Sequence, residues 1–457
     1  MRDFTQGRIL PQLVYFTLPM LFANLLQALY SIVDAIWVGR LIGYEAFAAV
    51  SATVPLIFLL VSAIIGLTMS TNILVGLAYG SKNMTYLRRV LSNSFISTFL
   101  ICLVISLLGI IFSKPLLHLL NTPESLKPYA HVFLIITLVG MIFLFGFNWV
   151  SAILRGLGDS KTPLILLIYS TILNILFVPV LIIGVGPIPK LGVAGAALGT
   201  VLSSFVMLIF AYVFVLRKHP LLNIHIWDFT LDMEITKKIF LIGIPISFQM
   251  IVISLSGILI VSLVNTFGPE VTAAYGIGLR LDQLSLLPAM AIGMSVSSMA
   301  SQNLGAQKYD RVKELFYLSV AASLLLSFLF FILIYGFPGM VSSIFTKEQS
   351  VIAYAVEYIR TVSFTYFLFS IIFVLQGIVR GAGDTMYMSL FTFISVVLIR
   401  YPLALILAKS SLKEKGIWVG ILVSAILGLL MNYLYYQSGR WKNKIVISPK
   451  ERSGIEK

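Results

Sequence analysis

The sequence predicts an all-α integral membrane fold, with twelve transmembrane helices in two six-helix repeats related by a pseudo-two-fold along the membrane normal. Three observations predict it. Hydrophobic residues make up 59% of the 457 and charged ones 11%, with a mean hydropathy of +1.00, whereas soluble domains are roughly a quarter charged. Apolar runs long enough to cross a hydrocarbon core about 30 Å thick, which takes ~20 helical residues, recur twelve times. Landmarks then repeat 225 positions apart: Arg155-Gly-Leu-Gly-Asp159 with Arg380-Gly-Ala-Gly-Asp384, Glu45 with Glu270, Gly80 with Gly305, and Tyr129-Ala130 with Tyr354-Ala355. Pro19 and Pro245 lie 226 apart, so a one-residue shift falls before the glutamates. A spacing held over this much chain marks a duplicated domain.

In chain order the spans are read as 12–38, 46–79, 87–112, 129–153, 163–186, 193–216, 237–265, 272–303, 312–336, 352–379, 386–408 and 416–437. The first run is too long for a signal-peptide core and lacks a cleavage pattern, so it is expected to be a retained span. Pro19, Pro55, Pro179, Pro245, Pro288 and Pro402 fall inside spans and are kink or hinge candidates, tolerated where neighbouring helices satisfy the freed backbone groups. On the sixth span, Gly192, Gly195 and Gly199 form a small-residue face suited to close helix packing.

With the amino terminus inside, 21 Lys and Arg fall in inside segments and 8 in outside loops, which places both ends in the cytoplasm of an inner-membrane, multi-pass protein. Six spans per repeat, an even number, make both copies enter the membrane in the same direction. The expected division is a first lobe at 1–216, a cytoplasmic linker at 217–238, a second lobe at 239–440 and a basic tail at 441–457. The net charge of +14 sits in short loops and the tail, with no basic domain to hold nucleic acid. Cys102 is the single cysteine and lies in an apolar run, which excludes a disulfide framework and a cysteine metal site. The chain carries no Gly-x4-Gly-Lys-Ser/Thr phosphate loop and no His-Glu-x2-His zinc site, and its four histidines are scattered. It is therefore expected not to be an enzyme and to use no cofactor.

The repeated turn reads as a helix end followed by a helix start. Glycine suits the left-handed turn that closes one helix, Asp159 or Ser160 can cap the next, and Arg155 and Arg380 are expected to anchor at the membrane surface.

Candidate site residues lie within the spans. Asn24, Gln27, Ser31 and Asp34 are spaced three, four and three residues apart and share one quadrant of the first helix. An ionisable residue facing a bundle interior is a functional candidate by default. Kept from water, such a carboxyl can exchange a proton near neutral pH or offer charge to a cation; near Gly39, Asp34 can equally be a wet helix-end residue paired with Arg40. The repeat positions of the stripe, Met250, Ile253, Gly257 and Ile260, are nonpolar. Asn148, Asn174 and Thr200 lie in later spans of the first half; each suits a helix-helix hydrogen bond, and together with Asp34 they can supply oxygens to a small cation. In the second half Gln249, Arg280, Asp282 and Arg400 are candidates for a substrate cavity, with an Arg400–Asp282 ion pair as the structural alternative.

Several of these features occur together in one known family. The two six-helix repeats, Val33-Asp34-Ala35 with Val38-Gly39-Arg40, the Arg-Gly-x-Gly-Asp turn twice, and Gln302-Asn303-Leu304-Gly305-Ala306 resemble the MATE transporters, the multidrug and toxic compound extrusion family. The resemblance covers about residues 10–437. It implies two lobes around a V-shaped cavity, import of H+ or Na+ driving export of small amphiphilic, often cationic substrates, and a monomer in the lipid bilayer. On this resemblance Asp34 is the first-helix carboxylate of the coupling cluster, the one place where a Na+ ion would bind. Asn174 matches its fifth-helix asparagine, and Asn148 and Thr200 fit its fourth- and sixth-helix positions. The chain departs from the family pattern at Val178, where many relatives carry a second aspartate before the proline. The seventh helix lacks the glutamate of NorM-like members, leaving Gln249 as its nearest polar residue. A lipid-linked oligosaccharide flippase of the same superfamily and a non-transporting membrane receptor or scaffold are the alternatives. Twelve spans rather than about fourteen weigh against the first, and the lack of any long loop or sensing domain against the second.

Overall fold

The computed structural model describes residues 2–120, 122–218 and 231–444, with the side chains of 215–218 outside the description. The described chain is helical throughout. The first half runs α1 (Ile9–Leu41), α2 (Tyr44–Gly80), α3 (Met84–Ile111), the short α4 (Ser113–Leu119), α5 (Lys127–Gly156), α6 (Lys161–Ile183) and α7 (Val193–Lys218). The second half repeats the order with α8 (Met233–Asn265), α9 (Pro269–Gly305), α10 (Tyr309–Gly336), the short α11 (Pro338–Ser343), α12 (Gln349–Val362), α13 (Thr365–Gly381), α14 (Met386–Phe393), α15 (Arg400–Ala408) and α16 (Glu414–Gln437). Among the described residues eleven helices are long and apolar enough to cross a membrane, or twelve when α12 and α13, bent by 44° at their junction, count as one span. Most of the linker expected at 217–238 and of the tail at 441–457 lies outside the described residues; α8 starts at Met233, inside the segment read as linker.

Of the six expected prolines, only Pro402 adjoins one of the two sharpest irregularities, standing three residues beyond a π-helical turn. Pro19, Pro55, Pro179, Pro245 and Pro288 lie inside continuous helices. The 44° bend follows Val362, where no proline occurs, and α14 passes into α15 through a π-helical turn, Ile394–Ile399. In that turn the Arg400 N–H reaches back to the Ser395 carbonyl, which leaves the Val396 carbonyl free to accept from Ser256 Oγ of α8 at 2.7 Å.

A π-turn inserts one residue into a helix, and the insertion is visible in the repeat register. Before it, the two Arg-Gly-x-Gly-Asp turns lie 225 apart. Beyond it, Gly199 packs on the backbone of Val178 and Gly420 on that of Ala404, while Gly195 meets the Leu181 carbonyl and Gly416 that of Leu407. These contacted backbones are 226 apart.

Packing divides the molecule across its thickness. One core cluster draws on both halves: Leu74 and Leu77 of α2, Ile242 and Ile246 of α8, Met299 and Leu304 of α9. It lies towards the face that carries residues 2–8, the repeated turns and Trp441. Towards the other face the halves keep separate cores. Ile64, Leu134 and Phe145 belong to one in the first lobe, and Tyr275, Tyr358 and Trp418 to one in the second. The result is a V closed on the face of the chain ends and open opposite it.

The closed end is tight because two glycines stand at repeat-related positions. A Cβ on Gly80 would sit 1.9 Å from the Gln302 carbonyl oxygen, and one on Gly305 2.1 Å from that of Leu77. Leu77 and Gln302 are themselves repeat mates, so α2 and α9 cross on the pseudo-two-fold. The amino-terminal residues strap this crossing. Phe4 N–H donates to Gln302 Oε1 at 3.0 Å, and the carbonyls of Phe4, Thr5 and Gly7 accept from Asn303 (3.2 Å), Lys308 (2.8 Å) and Arg311 (2.9 Å).

Candidate functional site

Asp34 lies near the outer end of α1, on the half of the first lobe away from the shared core. Asn174 of α6, fully buried, donates through Nδ2 to Tyr30 Oη at 2.8 Å and to Thr200 Oγ1 of α7 at 3.2 Å. Asn174 and Thr200 stand beside the Asp34 carboxyl. Helical spacing explains the convergence: Tyr30 is one turn before Asp34, and α6 and α7 both pack along this part of α1. Two acceptors remain unsatisfied. Asp34 Oδ1 and Asn174 Oδ1 are both buried and without a hydrogen-bond donor, a condition that ordinarily costs about 1–3 kcal/mol per group. Trp37 Nε1, a turn beyond Asp34, is unpartnered as well. Arg40 is exposed, and among the described residues it makes no ion pair with Asp34.

The structure thus joins Asp34, Asn174 and Thr200 and adds Tyr30, which a tally of classical polar residues passes over. Its signal was available, since residue 30 shares the face of the polar stripe. The other first-half candidates stay apart. Asn148 bonds to the Leu144 carbonyl of its own helix at 2.9 Å, Gln27 is exposed, and neither it nor Asn24 makes a side-chain hydrogen bond among the described residues. At the position where relatives were expected to carry a second aspartate, Val178 is buried under Gly199.

The second lobe differs from expectation. Asp282 and Arg400 do not form an ion pair within the described residues. Two tyrosine hydroxyls hold Asp282 instead, Tyr358 at 2.5 Å and Tyr366 at 2.7 Å, and Arg400 Nε donates to Ser424 Oγ at 3.0 Å. The residues are near enough to interact electrostatically, yet α12 and α13 bring in the tyrosines that occupy both carboxylate oxygens. Arg280 is exposed and folds back on the Gly276 carbonyl at 3.0 Å, away from this cluster. Gln249 is buried in a third place, bonded to Thr392 Oγ1 (2.7 Å) and Gln376 Oε1 (3.1 Å).

The repeated turns do not hold their arginines at the surface. Arg380 Nη2 lies 3.5 Å from Gln249 Oε1, and Arg155 Nε is buried without a partner. Both helices end within the closed face, so the last turn points under the lobes rather than into water. The turns also diverge: Asp159 caps α6 by accepting from the N–H groups of Lys161 and Thr162, whereas Asp384 accepts from the Tyr435 hydroxyl.

The two-lobed helical fold agrees with what comparison finds. The MatE family model matches the chain twice, over residues 19–180 and 245–406. The chain belongs to the MATE family. Both ends of the second match fall 226 residues after the first, which makes each lobe one copy of the family unit. Among relatives of this MATE chain, the probable multidrug resistance protein YoeA of Bacillus subtilis (strain 168) is 35% identical over 437 residues, covering 94% of this chain and 93% of that protein. A FAD transporter of Shewanella oneidensis is 27% identical over 87% of each chain. Among solved structures, an outward-facing multidrug resistance MATE transporter superposes with a TM-score of 0.87 at 21% identity, over 97% of this chain and 98% of the other. At that identity the match speaks for the MATE fold alone.

Proposed function

We propose that this chain is a secondary active exporter of small amphiphilic, cationic compounds, working as a monomer by alternating access in the inner membrane, with Asp34 carrying the coupling cation. The reading is supported by one observation: Asp34 Oδ1 is a buried acceptor with no donor, and Asn174 and Thr200 stand beside its carboxyl. A proton on Asp34 removes the charge from that unsatisfied carboxyl and gives the cluster a donor, where Asn174 Oδ1 is a second buried acceptor without one. We take the ion to be H+, which needs only the one carboxyl, whereas a hard cation such as Na+ would need several oxygens gathered around it. The names of the multidrug resistance relatives support export of drugs; the amphiphilic, cationic character is what the family resemblance implies. With both chain ends in the cytoplasm, the open side of the V faces outward, where the proton would load. Coupling requires the cation to bind the two arrangements of the lobes with different affinity.

The test is dye export from vesicles under an imposed pH gradient, a sodium gradient, or neither. The expected result is export driven by the pH gradient and lost in Asp34→Asn. An Asp34→Asn protein that still exports with the gradient would falsify the assignment; drive by sodium alone would keep Asp34 and replace the ion.

A further inference from the structure

The same register that pairs the lobes places Arg400 at the repeat position of Asn174, since both stand four residues before the backbone on which a glycine of the next helix packs, Val178 under Gly199 and Ala404 under Gly420. Ser424 likewise follows Gly420 as Ser203 follows Gly199. Where the first lobe has an amide beside a carboxylate, the second has a guanidinium, and Asp34's mate is the buried Ile260.

The unsatisfied atoms differ with it, although each lobe also leaves a tryptophan Nε1 unpartnered, Trp37 in the first and Trp418 in the second. In the first lobe's cluster the orphans include two acceptors, Asp34 Oδ1 and Asn174 Oδ1. In the second lobe two donors, Arg400 Nη2 and Trp418 Nε1, are buried without an acceptor, with Ser285 Oγ, one turn after Asp282, unpartnered too. These groups share one neighbourhood. Arg400 is near enough to Tyr275, Tyr358 and Asp282 to interact with them electrostatically. The fully buried Trp418 packs with its ring centroid 4.8 Å from that of Tyr358 and 5.6 Å from that of Tyr275. The acidic group present is not paired with the guanidinium: the two Asp282 oxygens accept from Tyr358 and Tyr366, and Arg400 donates to Ser424. Arg400 as a residue is only partly buried, so the site is not sealed. It also begins directly after the π-helical turn, a distortion that often accompanies functional sites.

We propose that the second lobe binds one small anionic group at Arg400, where the π-helical turn meets α16, as the repeat-related counterpart of the cation cluster in the first lobe. The ligand chemistry is a halide-sized monoanion or the carboxylate end of an amphiphilic substrate. Arg400 supplies the charge and Nη2, and Trp418 Nε1 the second donor; the aromatic walls keep competing water out. The site stands on these residues and does not depend on export or on the identity of the coupling ion.

The experiment uses the full chain in lipid nanodiscs and in crystals. Crystals grown with bromide in place of chloride are expected to give an anomalous peak beside Arg400, and calorimetric titration with bromide, acetate and butyrate to show saturable binding to at least one of them. Bromide binding identifies an inorganic anion and carboxylate binding alone a substrate end; both support the site. Arg400→Gln is expected to weaken binding by about tenfold or more, and Trp418→Phe, which keeps the packing ring, by several-fold. Should Arg400→Gln not fold, the wild-type map and Trp418→Phe still decide. Ordered water alone between the two donors, an anion bound elsewhere, or affinity unchanged in Trp418→Phe would overturn the proposal.

Discussion

Replacing Gly80 with alanine loads a defined strain onto the closed side of the V. The new methyl carbon would lie 1.9 Å from the Gln302 carbonyl oxygen, while ordinary contact begins near 3.4 Å, so α2 and α9 must part by about 1.5 Å at their crossing. Overpacking of this kind costs about 1–3 kcal/mol. The cost falls on the arrangement in which the helices cross and not on one in which this face has opened. At ~1.4 kcal/mol per tenfold, the equilibrium should move roughly 5- to 150-fold towards opening on the face of the chain ends. Spin labels at Met84→Cys and Tyr309→Cys, repeat mates on that face that are 36% and 37% exposed, in a Cys102→Ala background, report the separation by pulsed dipolar spectroscopy. A longer-distance population should grow in Gly80→Ala and, by symmetry, in Gly305→Ala. Gly257→Ala, with nothing within 4 Å of the added carbon, should leave the distances alone. A folded Gly80→Ala protein with the wild-type distribution would show that this crossing does not hold the face shut.

Three further outcomes follow from other contacts. Tyr30→Phe removes the hydroxyl that accepts from Asn174, worth about 0.5–1.5 kcal/mol; pH-driven export should fall several-fold with an altered pH profile and only a slightly lowered melting temperature, and a wild-type profile would remove Tyr30 from the site. Arg311→Ala deletes the bonds from α10 to the carbonyls of Phe4, Gln6 and Gly7, so the labelled pair should separate as in Gly80→Ala; if the distances hold, the strap is incidental. Asp232 caps α8 and pairs with Arg89. Burial alone would raise its carboxyl, but the Arg89 side chain and the N–H groups of Ile235 and Glu234 outweigh that and hold it below the usual range. A folded-state value below the unfolded one means that its stabilisation is complete above about pH 4 and fades as pH falls further. Asp232→Ala should therefore cost about 1 kcal/mol at pH 7, and its melting deficit against wild type should shrink towards pH 3; a constant deficit would contradict the assignment.

The parts of this fold legible in the sequence are those written in hydrophobicity and period. Twelve runs, their duplication and the place of Asp34 on a polar stripe needed only spacing, because a membrane helix must be apolar over its length and a repeat must keep its register. The misses are matters of partner choice. Nothing in the spacing says that Asp282 prefers Tyr358 and Tyr366 to Arg400, since the tyrosines come from helices 76 and 84 residues away. Arg155 and Arg380 were expected at the surface because they end apolar runs. That inference fails where the run ends against the other lobe instead of against water. The span that contains the π-helical turn has the same length as its α-helical mate, 23 residues from Met386 to Ala408 and from Lys161 to Ile183, so the shift the turn introduces appears only in which backbone each glycine touches.

The division into one shared core and separate outer ones bears on how little energy a change of shape would need. Each lobe keeps its own apolar filling when it tilts, so the rearrangement exchanges one lobe-to-lobe contact for another and unfolds nothing. Two arrangements built this way can be nearly equal in free energy. A ligand then moves the population by only its difference in affinity for them, and a factor of about ten-thousand, some 5.5 kcal/mol, suffices to carry it from one extreme to the other. For the proton proposed at Asp34 to drive such a change by itself, its affinity for the two arrangements would have to differ by a factor of that size.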